Sequence, residues 1–284
     1  MKLARFRINN EISFGLIQGQ CVIDFNKINL PYSDLQEIIQ NGKEALDVIS
    51  QFCAGKSAHY KLSDITLLAP VPRPGKFLAI GMNYKKHEEE ADRLGVEKRA
   101  YQTWFNKQIT CVNDPFGIID PGVTQQLDYE VELGVVIGKK SKNLTQENIR
   151  DSIFGYLVVN DVSARDWQFH TPTFTMGKSF DTHGPIGPWI VTADEIKDPQ
   201  KLELRCYVNG ELRQSNNTSE MIHSINDQLI YLSTAFTLEP GDIIATGTPE
   251  GVGVAMNPQV FLQKGDIVKC EIENIGFIEN RVSA

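Results

Sequence analysis

The chain alternates short apolar runs with clusters of Gly, Pro, Asn and Asp, and few of its apolar positions recur at helical spacing. That pattern predicts a β-rich protein. Strands are expected at 76–80, 129–137, 154–160, 186–192, 202–208, 242–246 and 266–273. Asn209-Gly210 separates Leu204-Arg205-Cys206-Tyr207-Val208 from Glu211-Leu212-Arg213 and predicts a hairpin, because Asn-Gly suits a type I′ turn. Two helices are expected in the same part of the chain. One is the polar stretch from Tyr84 to Leu94. The other covers 225–236, with a start signal at Ser224, an apolar face of Leu229, Ile230, Leu232 and Phe236, and a stop at Pro240-Gly241. Residues 1–68 read as short strands and one helix opened by the capping-box pattern Asp34-x-x-Glu37. Ala69-Pro70-Val71-Pro72-Arg73-Pro74-Gly75 predicts a stiff, extended connection. The expected organisation is a small N-terminal domain at 1–69 and a main domain at 70–284, of mixed α+β class with strands predominating.

The run Tyr129–Ile137 carries two charges that strand geometry makes neighbours. Residues i and i+2 of a strand share a face, so Glu130 and Glu132 project side by side from an apolar segment. Two carboxylates that close repel each other and resist burial. A hard divalent cation is the simplest group to hold them. A third carboxylate, Asp161, ends another apolar run, Phe154-Gly155-Tyr156-Leu157-Val158-Val159-Asn160-Asp161. All three donors are oxygens, and no Cys or second His accompanies them. That favours Mg²⁺, Mn²⁺ or Ca²⁺ over zinc.

Composition narrows the class. With 284 residues the chain can bury a substantial core. A net charge of −8 without a basic run argues against nucleic acid as a partner. No run approaches the roughly 20 apolar residues of a membrane helix, and the N-terminus lacks a signal-peptide core. Five scattered cysteines without CxxC spacing argue against a zinc knuckle or a disulfide scaffold, and a cytoplasmic protein is expected.

Four further segments could carry chemistry. His87 and Glu90 are three apart in a helical stretch, so they face the same way. A carboxylate beside an imidazole orients the ring and makes a usable general base, although a solvated acidic face is the simpler local reading. Arg165, in Asn160-Asp161-Val162-Ser163-Ala164-Arg165-Asp166-Trp167-Gln168, could hold a substrate carboxylate bidentately or make an ordinary ion pair. Lys178 sits in Gly177-Lys178-Ser179-Phe180-Asp181 among few charges and could bind an anionic oxygen, or be a surface lysine. Ala245-Thr246-Gly247-Thr248-Pro249-Glu250-Gly251-Val252-Gly253 could let a ligand approach backbone amides, or be a tight turn. His59, His170 and His223 read as structural or exposed, His183 as a satisfied loop histidine that could instead line the site, Lys107 as a candidate contact for an acidic substrate, and Asp128 as support behind the carboxylate strand.

Together and in this order, these segments resemble the fumarylacetoacetate hydrolase family. The likeness rests on Gly81-x-Asn83-Tyr84-x-x-His87-x-x-Glu90, Asp128-Tyr129-Glu130-x-Glu132-Leu133-Gly134, Asn160-Asp161-Val162-Ser163-Ala164-Arg165-Asp166, Gly177-Lys178-Ser179-Phe180-Asp181 and Leu238-Glu239-Pro240-Gly241-Asp242 through Val252-Gly253. It covers about residues 70–284, and 1–69 look like the family's variable N-terminal domain. The resemblance implies a distorted β-sandwich or β-roll, a homodimer, and a Mg²⁺ or Mn²⁺ site that Ca²⁺ could fill in a crystal. It implies Glu130, Glu132 and Asp161 as ligands, and His87 with Glu90 as the acid/base pair on a segment that orders over bound substrate. Lys178 and Gln168 would position substrate, with Thr248 and Arg165 helping.

The activity expected first is hydrolysis of a C–C bond in a β-diketo or acylpyruvate acid, as in aromatic catabolism. Such an acid offers two oxygens to the ion, which would act as a Lewis acid and stabilise a metal-bound enolate. His87, with Glu90, would activate the attacking water. The same site allows an isomerase, tautomerase or decarboxylase, of the 2-hydroxyhepta-2,4-diene-1,7-dioate isomerase or oxaloacetate decarboxylase type. An enolate can be released by hydrolysis, reprotonated, or made by loss of CO₂. A non-catalytic metal-binding protein is a third reading. The presence of every motif residue argues against it.

Overall fold

The computed structural model describes residues 1–96 and 100–284. Two sheets dominate. Among the described residues the larger has twelve strands, and its central order is Lys2–Ile8, Gly184–Thr192, Ile153–Asn160, Val131–Ile137, Ile243–Ala245, Phe77–Gly81 and Thr103–Lys107. The smaller has five: Glu211–Asn217, Glu203–Val208, Ile267–Ile272, Gly276–Val282 and Ile118–Ile119.

The two faces of the large sheet bury different partners. Leu133, Val135, Val158 and Val191 pack with Leu204, Cys206, Val268 and Ile278 of the smaller sheet. Val136, Leu157, Val159 and Ile190 pack with Leu35, Ile38, Ile39 and Ile49 of the helix Leu35–Cys53. The strands read as nearly unbroken apolar runs because both faces are covered, and Val131–Ile137 is buried throughout. This layered, β-rich arrangement is the mixed fold expected from the sequence. Among the described residues no helix is long and apolar enough to cross a membrane.

Residues on both sides of Ala69–Gly75 share one sheet and one core. Lys2–Ile8 pairs with Gly184–Thr192 (Lys2 opposite Val191, Leu3 opposite Ile190), and Leu3, Phe14 and Phe25 pack with Phe77 and Ile186.

Most element boundaries fall within two residues of expectation. Asn209 and Gly210 have φ of 51° and 83°, as a type I′ turn requires. Ser224 and Asp227 form a capping box at the start of Ile225–Ala235. That helix ends before Pro240-Gly241, with Phe236 already extended. Asp34 accepts from Glu37 N–H at 2.8 Å, but Glu37 reaches back to Ser33 rather than closing the expected box on Asp34. The strands Thr103–Lys107 and Gly276–Val282 carry too many polar positions to stand out in the sequence.

Candidate active site

Strand register assembles the three carboxylates. Val131 lies opposite Asn160 in the antiparallel pair, and Asp161 N–H donates to Glu130 O at 2.9 Å, so Asp161 lands beside Glu130. Each of Glu130, Glu132 and Asp161 offers an oxygen within 4.8 Å of the others. All three are buried.

Cations surround two of them. Lys178 Nζ lies 2.7 Å from both Glu130 Oε2 and Asp161 Oδ2. Lys107 Nζ lies 2.5 Å from Asp161 Oδ1 and also donates to Lys178 O. Arg165 Nη1 lies 2.7 Å from Glu130 Oε1, and its Nε donates to Asp128 Oδ2 at 2.9 Å. Burial opposes ionisation of Glu130, but Lys178 and Arg165 outweigh it and bring its pKa down to about 2. Among the described residues Glu132 makes no ion pair, and Lys178 acts on it only at longer range. Among the described residues its hydrogen-bond donor is Gly247 N–H at 2.7 Å. Burial, with Asp161 and Glu130 beside it, pushes Glu132 well above the usual carboxylate range. Three clustered oxygen donors, one without an ion pair among the described residues, fit a hard divalent cation.

The helix Lys85–Arg93 carries the second half of the site. Buried Asn83 fixes its approach by donating to Thr246 O at 2.8 Å and accepting from His223 N–H at 2.9 Å. His87 Nδ1 lies 3.1 Å from Glu90 Oε2, and Gly251 N–H donates to Glu90 Oε1 at 3.0 Å. The pair is therefore not on a solvated face. It lines a cavity of about 70 Å³ together with Glu130, Glu132, Lys178, Gln168, Arg165 and Thr248. The remaining wall is largely apolar, with Leu94, Phe105, Phe169, Phe174 and Val252.

The turn after Ile243–Ala245 supplies amides to both halves. Gly247 serves Glu132, Gly251 serves Glu90, and Gly253 and Val254 donate to Asp128 at 2.9 and 3.0 Å. Only glycine suits Gly251. Its φ is 99°, and a Cβ there would sit 2.1 Å from Arg213 O. Gly177, next to Lys178, is likewise confined to glycine by close approach, since a Cβ would sit 2.3 Å from Gln168 N.

Three candidate residues have partners that the sequence did not specify. Arg165 is not free for a bidentate grip on a substrate carboxylate. Its Nε and Nη1 serve Asp128, Glu130 and Gln168, which among the described residues leaves Nη2 as its one unpartnered nitrogen. Lys107 is fully buried against Asp161, not placed to meet substrate; its carboxylate partner keeps it charged against the pull of burial. The Thr248 hydroxyl donates to Val131 O at 2.9 Å and accepts from Gln214, so it braces the carboxylate strand. Gln214 had no signal in the sequence, being one amide in a polar hairpin strand.

Comparison with known proteins identifies the family. Residues 76–283 match the family described as fumarylacetoacetate (FAA) hydrolase C-terminal. The chain is 42% identical over 269 residues to the Bos taurus protein "Oxaloacetate tautomerase FAHD2B, mitochondrial", covering 93% of this chain and 84% of that one. It resembles the solved fumarylacetoacetate hydrolase of Exiguobacterium antarcticum, with TM-score 0.87, 39% identity and coverage of 100% and 99% of the two chains. It also resembles maleylpyruvate hydrolase from Sphingobium sp. SYK-6, solved with manganese(II) and pyruvate, with TM-score 0.82, 30% identity and the same coverage. The matched span runs from the strand preceding the His87 helix to the last strand of the smaller sheet, and the chain belongs to the fumarylacetoacetate hydrolase family.

Proposed function

We propose that the chain catalyses proton transfer at the carbon next to the keto group of a small 2-oxo acid, as an oxaloacetate-type keto–enol tautomerase. The observation that carries this is the His87–Glu90 pair sharing one small, mostly apolar cavity with Glu130 and Glu132, which cluster with Asp161. The 42% identity to a protein named oxaloacetate tautomerase supports it. Glu130, Glu132 and Asp161 would hold Mg²⁺ or Mn²⁺. When bound, such an ion supplies Lewis acidity to a 2-oxo acid and favours its enolate.

The residues of the chain do the rest. Glu90, fixed by Gly251 N–H, accepts a hydrogen bond from His87 Nδ1–H and thereby selects the tautomer with a free Nε2. That nitrogen takes the carbon proton. Arg165 Nη2 and the Gln168 amide nitrogen are donors for a substrate carboxylate, and the Lys178 ammonium steadies the developing negative charge. The apolar wall limits water around the pair.

A second reading is C–C hydrolysis of an acylpyruvate, with the same pair activating water. The likeness to a maleylpyruvate hydrolase supports it. The family likeness supports a homodimer. All five cysteines are free, which suits the cytoplasm or another reducing compartment.

The test is turnover after EDTA treatment and Mg²⁺ or Mn²⁺ add-back, on oxaloacetate, an acylpyruvate, fumarylpyruvate and a 2-hydroxymuconate-type diacid. Accelerated decay of the enol absorbance of oxaloacetate at constant mass supports the tautomerase. Gain of water with chain cleavage supports the hydrolase, and loss of CO₂ a decarboxylase. Activity that survives EDTA refutes the metal assignment.

A further inference from the structure

We propose that Gln214 is a positioning residue that locks the His87–Glu90 pair to the carboxylate cluster, acting through the turn at 246–254. The inference rests on the roles given to those groups in the preceding section. Gln214 belongs to Glu211–Asn217 at the edge of the smaller sheet, is 1% exposed, and does not line the cavity. Its amide is fully engaged. Oε1 accepts from Val131 N–H at 3.0 Å, while Nε2 donates to Thr248 Oγ1 at 2.8 Å and to Pro249 O at 2.9 Å.

Both contacts fall at decisive places. Val131 lies between Glu130 and Glu132. Thr248-Pro249 lies between Gly247, which donates to Glu132, and Gly251, which donates to Glu90. The Thr248 hydroxyl closes the ring by donating to Val131 O at 2.9 Å. The same strand holds the turn twice more. Asn216 Nδ2 donates to Glu250 Oε2 at 2.7 Å, and the Gly251 backbone packs against Arg213 O. One rigid turn thus sets the orientation of a cluster carboxylate and of the carboxylate behind His87, and Gln214 ties that turn to the strand carrying the cluster. A displacement of the turn moves both halves at once, and proton transfer is sensitive to shifts of about 1 Å.

Gln214→Met keeps the length and burial of the side chain and removes the three hydrogen bonds. Metal-stripped protein is titrated with Mn²⁺ by calorimetry, and kcat and KM for oxaloacetate are measured at saturating Mn²⁺, at a temperature where circular dichroism shows the variant folded. Mn²⁺ affinity and kcat are each expected to fall about tenfold, with KM changing far less. A lower Tm with both quantities unchanged overturns the inference, and so does a fall in only one of them. If the variant does not fold, Thr248→Val and Thr248→Ser test the same link. The valine must reproduce both losses and the serine restore both, and equal behaviour of the two overturns the link. Absence of turnover in the parent protein refutes the proposed activity rather than this inference. The Mn²⁺ titration then decides it, and unchanged affinity in Gln214→Met overturns it.

Discussion

Glu132→Gln should separate stability from metal binding. Glu132 is 1% exposed and has a backbone amide as its hydrogen-bond donor, whereas Glu130 and Asp161 each touch two cationic side chains. The three ligand oxygens lie within 4.8 Å of one another. An ionised Glu132 would be repelled by a unit charge at that separation by about 3.5 kcal/mol at an effective dielectric of about 20; burial and this repulsion raise its pKa, and holding the proton instead also costs stability. The neighbouring lysines and Arg165 offset part of this, so the net penalty at Glu132 is about 1–2 kcal/mol. Glutamine keeps the shape, still accepts from Gly247 N–H, and turns an NH₂ toward the two remaining carboxylates. In EDTA-treated protein, urea unfolding should therefore show Glu132→Gln to be more stable than the parent by about 1–2 kcal/mol. Mn²⁺ at about 100 times the parent Kd should add about 2.7 kcal/mol to the parent and less than about 1 kcal/mol to the variant. A variant less stable than the parent without metal, or one with the full Mn²⁺ increment, would refute the reasoning.

Other perturbations address the remaining parts. His87→Ala should keep its Mn²⁺ affinity in calorimetry and lose about 10²–10⁴ in kcat, because it removes the proton acceptor and leaves the cluster intact. Gly251→Ala should cost about 2–3 kcal/mol in urea unfolding and lower kcat, since a Cβ at φ 99° would meet Arg213 O at 2.1 Å and displace the amide holding Glu90. Burial, then Lys107, holds the His183 pKa down at about 4. Between that value and the ordinary one near 6.5, the unfolded chain binds a proton that the folded chain does not, so stability falls as pH drops through the window, by up to about 3 kcal/mol. His183→Gln keeps a donor for Asp120 O and should flatten this part of the curve in urea titrations across the window; an unchanged slope would assign the acid sensitivity to other groups.

Several parts of the site were legible because their causes are local. Two-residue periodicity puts Glu130 and Glu132 on one face whatever surrounds them. The ends of Ile153–Asn160 and the Asn209-Gly210 turn follow from apolar runs and from φ preference. The same local reading left His87 and Glu90 divided between a base and a solvated helix face. The deciding contact is with Gly251, 161 residues away, across a turn whose path the helix sequence does not encode. Lys107 and Arg165 show the same limit. Neither their elements nor their partners show in the local sequence, since Asp161 and Asp128 lie 54 and 37 residues away. Gln214 reaches Val131 over 83 residues, through two sheets that meet only in the folded chain. The sequence by itself determined most element types, the shared face of two carboxylates and the ordered motifs of the family, because dihedral preference and side-chain alternation act within a few residues. Tertiary structure alone decided which charges are paired, which carboxylate makes no ion pair among the described residues and which turn joins the two halves of the site, because those depend on what packing brings opposite each face.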